Sequence, residues 1–151
     1  CNWQHGGFWY LCSWFESRYP SKEKMLETVA LWLLVVAFLK LSLFQLALAF
    51  GAGWGELAFG GAHKGKLPRN YRIASAFSFL VALALAGHYL AEIGVFQSLL
   101  DDAGRTVANW VFFGLLAVGA VLNNISRSAP ERRLWGPITL VMAVSALIAA
   151  L

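Results

Sequence analysis

The chain has 151 residues, of which 59% are apolar and only 13% are charged, with a formal net charge of +4. Water-soluble domains carry about 25% charged residues, so this composition, with a mean hydropathy of +0.61, excludes an ordinary water-facing surface. The basic residues sit between apolar runs rather than in a patch or stripe, which excludes nucleic acid as the expected partner and points to membrane threading.

The first 24 residues stand apart. They hold Trp3, Phe8, Trp9, Tyr10, Trp14, Phe15 and Tyr19 without a period of 2 or 3.6. This segment is expected to be an extraneous or loosely packed leader, with Met25 as a start of the chain proper. Cys1, His5 and Cys12 match no zinc spacing and lack a fourth ligand, so no metal site and no cofactor are expected. Two cysteines do not make a disulfide framework.

Pro20-Ser21 marks a helix start, with Ser21 as N-cap. From Met25 to Phe50 the chain is apolar over 26 residues, which as helix rises about 39 Å and crosses a core of about 30 Å with tilt. Three further runs free of charge follow: Ile73 to Ala91, Thr106 to Ser126 and Leu134 to Leu151. With their flanks they predict an all-α, membrane four-helix bundle with spans at about 25–50, 72–94, 106–125 and 132–151. Residues 25–151 form one transmembrane domain.

Gly51 to Arg72 is the longest polar, glycine-rich interruption, and Asn123 to Arg133 is a second basic connector. With four spans these two loops share one side. They carry Lys64, Lys66, Arg69, Arg72, Arg127, Arg132 and Arg133, against Arg105 in the middle loop. The positive-inside rule then puts both loops in the cytoplasm and both termini outside. Contact with anionic lipid headgroups at that face is expected. Ser128-Ala129-Pro130-Glu131 reads as a capping box. Trp54, Tyr71 and Trp135 are expected at the inner boundary, each ring with one end wet. Glu56 or Glu131 is expected to pair with Arg69, Arg127 or Arg132.

Several polar residues interrupt or end the apolar runs. Lys40 lies about 20 Å of helix rise beyond Glu27, where an ammonium costs about 2.5–3.5 kcal/mol. It reads as a pathway residue facing the bundle interior or as a lysine that snorkels outward. Ser42 and Gln45 are expected to bond other helices. His88 and Glu92, four apart, share a helix face. An imidazole beside a carboxylate can pass protons, or the pair can simply anchor the helix end. Gly114, Gly119, Ala143, Ala146 and Ala150 are expected at helix contacts, within the bundle or along a homo-oligomer seam. Neither a phosphate loop nor a nucleophile set nor a zinc-protease motif is present.

Two stretches carry a resemblance. One is Gly51-Ala52-Gly53-Trp54-Gly55 with Gly60-Gly61 and Leu67-Pro68. The other is Asn123-Asn124-Ile125-Ser126-Arg127-Ser128 with Glu131 and Trp135-Gly136-Pro137. Together they resemble a family of small bacterial integral membrane proteins with four spans and no assigned activity, over about Met25 to Leu151. Gly53 stands where that family often has Pro. The resemblance implies the topology and a bacterial inner (plasma) membrane location. The expected function is a non-enzymatic structural or accessory membrane component, with a homo-oligomer or another membrane protein as partner. Its cytoplasmic loop motif is Trp54, Glu56, Arg69, Arg127, Glu131 and Trp135. The alternative is a small transporter or proton-coupled permease using Lys40, His88 and Glu92.

Overall fold

The computed structural model describes residues 21–151. Cys1, His5, Cys12 and the aromatic cluster of the leader lie outside the described residues. Among the described residues every long element is an α-helix: α1 (Lys22–Phe50), α2 (Arg69–Glu92), α3 (Asp102–Asn124) and α4 (Ala129–Ala150). All four are long and apolar enough to cross a membrane, and the chain is a multi-pass membrane protein. Each helix begins three or four residues before its expected span, and its first turn carries polar residues.

The caps are written in the sequence. Ser21 Oγ accepts from the Lys24 amide at 3.3 Å, Asp101 Oδ1 from Gly104 at 2.8 Å, and Ser128 Oγ from Glu131 at 3.4 Å. Each satisfies an amide that has no intrahelical acceptor. At the far end of α1, Gly51 takes φ 94°. Its amide donates to Leu48 O, and the Ala52 amide donates to Ala47 O, both at 2.9 Å, the paired bonds of a left-handed helix stop. Arg72 Nε then donates to Ala49 O at 2.9 Å, which occupies another terminal carbonyl and ties the start of α2 to the end of α1.

α1 is the central rod, packed against both α2 and α4; α3 packs chiefly against α4. The core joins Leu31, Leu34, Val35 and Phe38 of α1 to Ala82, Ala86 and Tyr89 of α2 and to Met142 and Ala146 of α4. Phe38 and Tyr89 stack with centroids 5.9 Å apart. Between helices in lipid there is little hydrophobic drive, so close approach over small residues does the work. Ala82 and Ala86 supply that face on α2, and Ala143 and Ala146 on α4. The expected contact glycines of α3 do not. A Cβ added to Gly114 or Gly119 would meet nothing within 4 Å. The close glycine is Gly136, whose Cβ would come 2.9 Å from Asn124 Oδ1.

Of the two readings of Lys40, the one that faces the bundle interior does not fit the structure and the outward one does. Lys40 is exposed, on the side of α1 opposite the buried Phe38 and Ser42. Two residues of helix turn it about 200° from Phe38, and Phe38 claims the core because its ring stacks there. Ser42 also differs from expectation. Its hydroxyl donates to Phe38 O of its own helix at 2.8 Å.

Replacing Lys40 with Leu is expected to make membrane insertion of α1 about 2.5–3.5 kcal/mol more favourable without loosening the bundle. An insertion assay and unfolding in bilayers check this. A loss of folding stability would show instead that Lys40 makes an internal contact.

Candidate functional site

The first loop, residues 51–68, does not hang free. It folds through two short 3-10 turns, Gly55–Leu57 and Phe59–Gly61, closed by the Gly55 amide donating to Gly65 O at 2.9 Å. Leu48, Ala58 and Leu67 bury a small apolar centre beneath it. Its outer edge lies on the beginning of α4, and the sequence around Ser126 to Trp135 supplies the fastenings.

Three bonds join loop to helix, and a fourth holds the carboxylate that makes one of them. Trp135 Nε1 donates to Leu57 O at 2.9 Å. Ser128 Oγ donates to Glu56 O at 2.6 Å. The Gly60 amide donates to Glu131 Oε1 at 3.3 Å. Ser126 Oγ donates to Glu131 Oε2 at 2.5 Å and so holds that carboxylate in place. The expected capping box is therefore lengthened by one hydroxyl. Glu131 reaches Ser126, and Ser126 Oγ accepts from the Ser128 amide at 3.2 Å. Gly61 fits this dock for a steric reason: its φ is 68°, and a Cβ there would come 2.5 Å from Ser128 Cβ. Phe59 has φ 53°, a conformation that costs a side-chain-bearing residue about 1–3 kcal/mol. Its ring lies edge-on to Tyr71 at 5.1 Å.

The chain matches no family model, no curated protein and no solved structure. The site is therefore read from its own residues.

Of the loop-motif residues, the dock brings together Glu56, Glu131 and Trp135, with Trp54 nearby. Trp54 stacks on Phe44 at 6.2 Å, and Phe44 meets Trp135 edge-on at 4.9 Å. Trp135 is only 8% exposed, so its indole N–H faces a carbonyl rather than water. Glu56 contributes its backbone carbonyl. The expected pairing of Glu56 or Glu131 with Arg69, Arg127 or Arg132 is not formed. Among the described residues neither carboxylate has an ion-pair partner. Arg132 instead donates to Ser126 O at 2.6 Å. The cause is the capping geometry, which turns Glu131 inward while the arginines remain exposed. The exposed cations of this end are Lys64, Lys66, Arg69, Arg127, Arg132 and Arg133.

His88 and Glu92 lie at the opposite end of the bundle. His88 Nε2 is 3.9 Å from Glu92 Oε1 but 2.8 Å from Asn109 Oδ1. Asn109 Nδ2 donates to Ala149 O at 3.3 Å. That carbonyl orients the amide, so Asn109 presents oxygen to the ring and His88 Nε2 is the donor. One hydrogen-bonded line thus joins α2, α3 and α4. Arg105 Nε approaches Glu92 Oε1 to 3.8 Å, an ionic contact too long for a hydrogen bond. Lys40 lies on the outer surface and joins neither cluster. Among the described residues no three His, Cys, Asp or Glu side chains gather to hold a metal.

Sequence reasoning missed Ser126 and Asn109. Ser126 sits outside the four-residue capping pattern, and Asn109 reads only as a polar residue that wants a partner. The NNISRS run was the available signal for the first.

Changing Trp135 to Phe keeps the ring but leaves Leu57 O without its donor, at a cost of about 1–3 kcal/mol. The unfolding free energy in detergent is expected to fall by that amount. Hydrogen exchange is expected to quicken at the amides of residues 55–61, the dock's own segment. Unchanged exchange there would remove the bond from any structural role.

Proposed function

We propose that the protein is a non-enzymatic accessory or structural component of a bacterial inner membrane, with its loop face in the cytoplasm. The observation that carries this reading is the dock. Three hydrogen bonds hold the first loop against α4 and a fourth fixes the Glu131 carboxylate, while the basic side chains around it stay exposed. A chain that folds a connector this firmly while its cations remain outward presents a shaped, positive surface.

Charge supports the orientation. The dock end holds Lys64, Lys66, Arg69, Arg72, Arg127, Arg132 and Arg133 against Glu56 and Glu131. The other end holds Lys22, Lys24 and Arg105 against Glu23, Glu27, Glu92, Asp101 and Asp102. Lys and Arg in short loops remain on the cytoplasmic side, so Ser21 and Leu151 face outward. Anionic headgroups and an acidic surface of a membrane partner, another chain or a second copy, suit the dock face. The two loop stretches that resemble the four-span bacterial family are the two halves of this dock, which favours the same location. Lys40 on the outer surface and His88 held by Asn109 weigh against a proton-coupled permease, because the polar groups do not converge at mid-depth.

Two outcomes are expected. Single cysteines placed at Lys66 and Arg132 should react with a membrane-impermeant maleimide only after the cytoplasmic side is opened. Labelling in intact cells would reverse the threading. Purification in mild detergent should retain a stoichiometric partner that Arg127→Glu with Arg133→Glu releases while the fold persists. A monomer with no partner would overturn the accessory reading.

A further inference from the structure

A cleft of about 260 Å³ lies between α1, α4 and the docked loop. Phe44 and Trp135 form part of its wall, and Gln45, Asn123 and Glu131 bring polar groups to it. Their oxygens bear on what the cleft can hold.

Glu131 is 7% exposed. Its two oxygens accept from the Gly60 amide and the Ser126 hydroxyl, yet no cation pairs with it among the described residues. Gln45 Oε1 is buried with no donor. Asn123 commits an amide hydrogen to Gly119 O at 2.8 Å, and its carbonyl oxygen remains an acceptor. Thr139, also on the wall, directs its hydroxyl proton to Trp135 O at 2.7 Å. A buried acceptor without a donor, and a buried carboxylate without a cation, are both costly. The start of α4 offsets part of the charge through its helix dipole, worth roughly half a charge. Water supplies donors but no charge. An ammonium group supplies three N–H donors and a full positive charge, and aromatic walls tolerate a cation well.

We propose that this cleft is a binding site for a primary ammonium group, received by Glu131 and Gln45 beside the touching rings of Phe44 and Trp135. Two sources carry that chemistry: the ethanolamine headgroup of a phospholipid, and a small soluble amine. The cations of the dock end suit the phosphate of the former. The site follows from the fold alone and stands or falls separately from the accessory role.

Choline provides the control, because it keeps the charge and has no N–H on its nitrogen. The full chain in detergent is titrated with dioleoylphosphatidylethanolamine or dioleoylphosphatidylcholine and read by native mass spectrometry. The ethanolamine lipid is expected to bind about tenfold more tightly, the scale of one charge-assisted hydrogen bond. Gln45→Leu, which touches none of the dock's bonds, and Glu131→Gln should each reduce that preference to near unity. Gln45→Leu keeps the test decisive should Glu131→Gln loosen the dock. In parallel, thermal unfolding is followed with ethanolamine hydrochloride or choline chloride. A rise with ethanolamine alone, without lipid preference, supports the site and assigns it to a soluble amine. Equal binding of both lipids with no ethanolamine-specific rise overturns the proposal. So does a preference that survives both substitutions.

Discussion

Hydrocarbon offers no hydrogen-bond partner, so every polar group that enters it must be satisfied from within the protein. Helices meet this demand along their length but not at their ends, where terminal amides and carbonyls are left over. In this chain the leftover groups organise the structure. Ser21, Asp101 and Ser128 take amides at three helix starts. Arg72 takes a carbonyl at the end of α1. The short turns of the first loop, which have few internal bonds, take theirs from α4 through Ser128, Glu131 and Trp135. The dock is thus the place where an irregular stretch beside the membrane satisfies its own backbone.

That role explains why the polar residues of α4 are concentrated in its first two turns. Ser128, Glu131 and Trp135 fall on the side of α4 that meets the loop, since three and four residues bring side chains to one face. Arg127, Arg132 and Arg133 fall elsewhere and stay exposed. One short stretch therefore builds both the inner fastening and the outer charge. A surface made this way is fastened underneath and positive on top.

The opposite end is built by different means. His88, Asn109 and the Ala149 carbonyl form a line across three helices. Interhelical bonds of this kind are worth about 0.6 kcal/mol on average within membranes, so each is a positioning device more than a source of stability. It matters here because α3 buries only Asn109 and Ala120. The line keeps the least buried helix in register with α2 and α4. The same ring nitrogen cannot also serve Glu92, and the spacing of four that suggests a proton pair becomes a link to a third helix.

Composition and pattern alone determined the all-helical, four-span organisation, because runs of that length without charge have few other stable arrangements. They determined the caps at Ser21 and Ser128 as well, since a cap is a contact across only two or three residues of the same chain. Local sequence could not decide which way a polar side chain faces when the competing partners are distant in sequence. Lys40 lies outward because Phe38 stacks on Tyr89 of α2. Glu131 turns from the nearby arginines because the Gly60 amide, 71 residues away, and Ser126 receive it. His88 finds Asn109 rather than Glu92 because α3 passes closer than the next turn of its own helix. Each of these choices rests on which helices become neighbours, and packing in three dimensions made that selection.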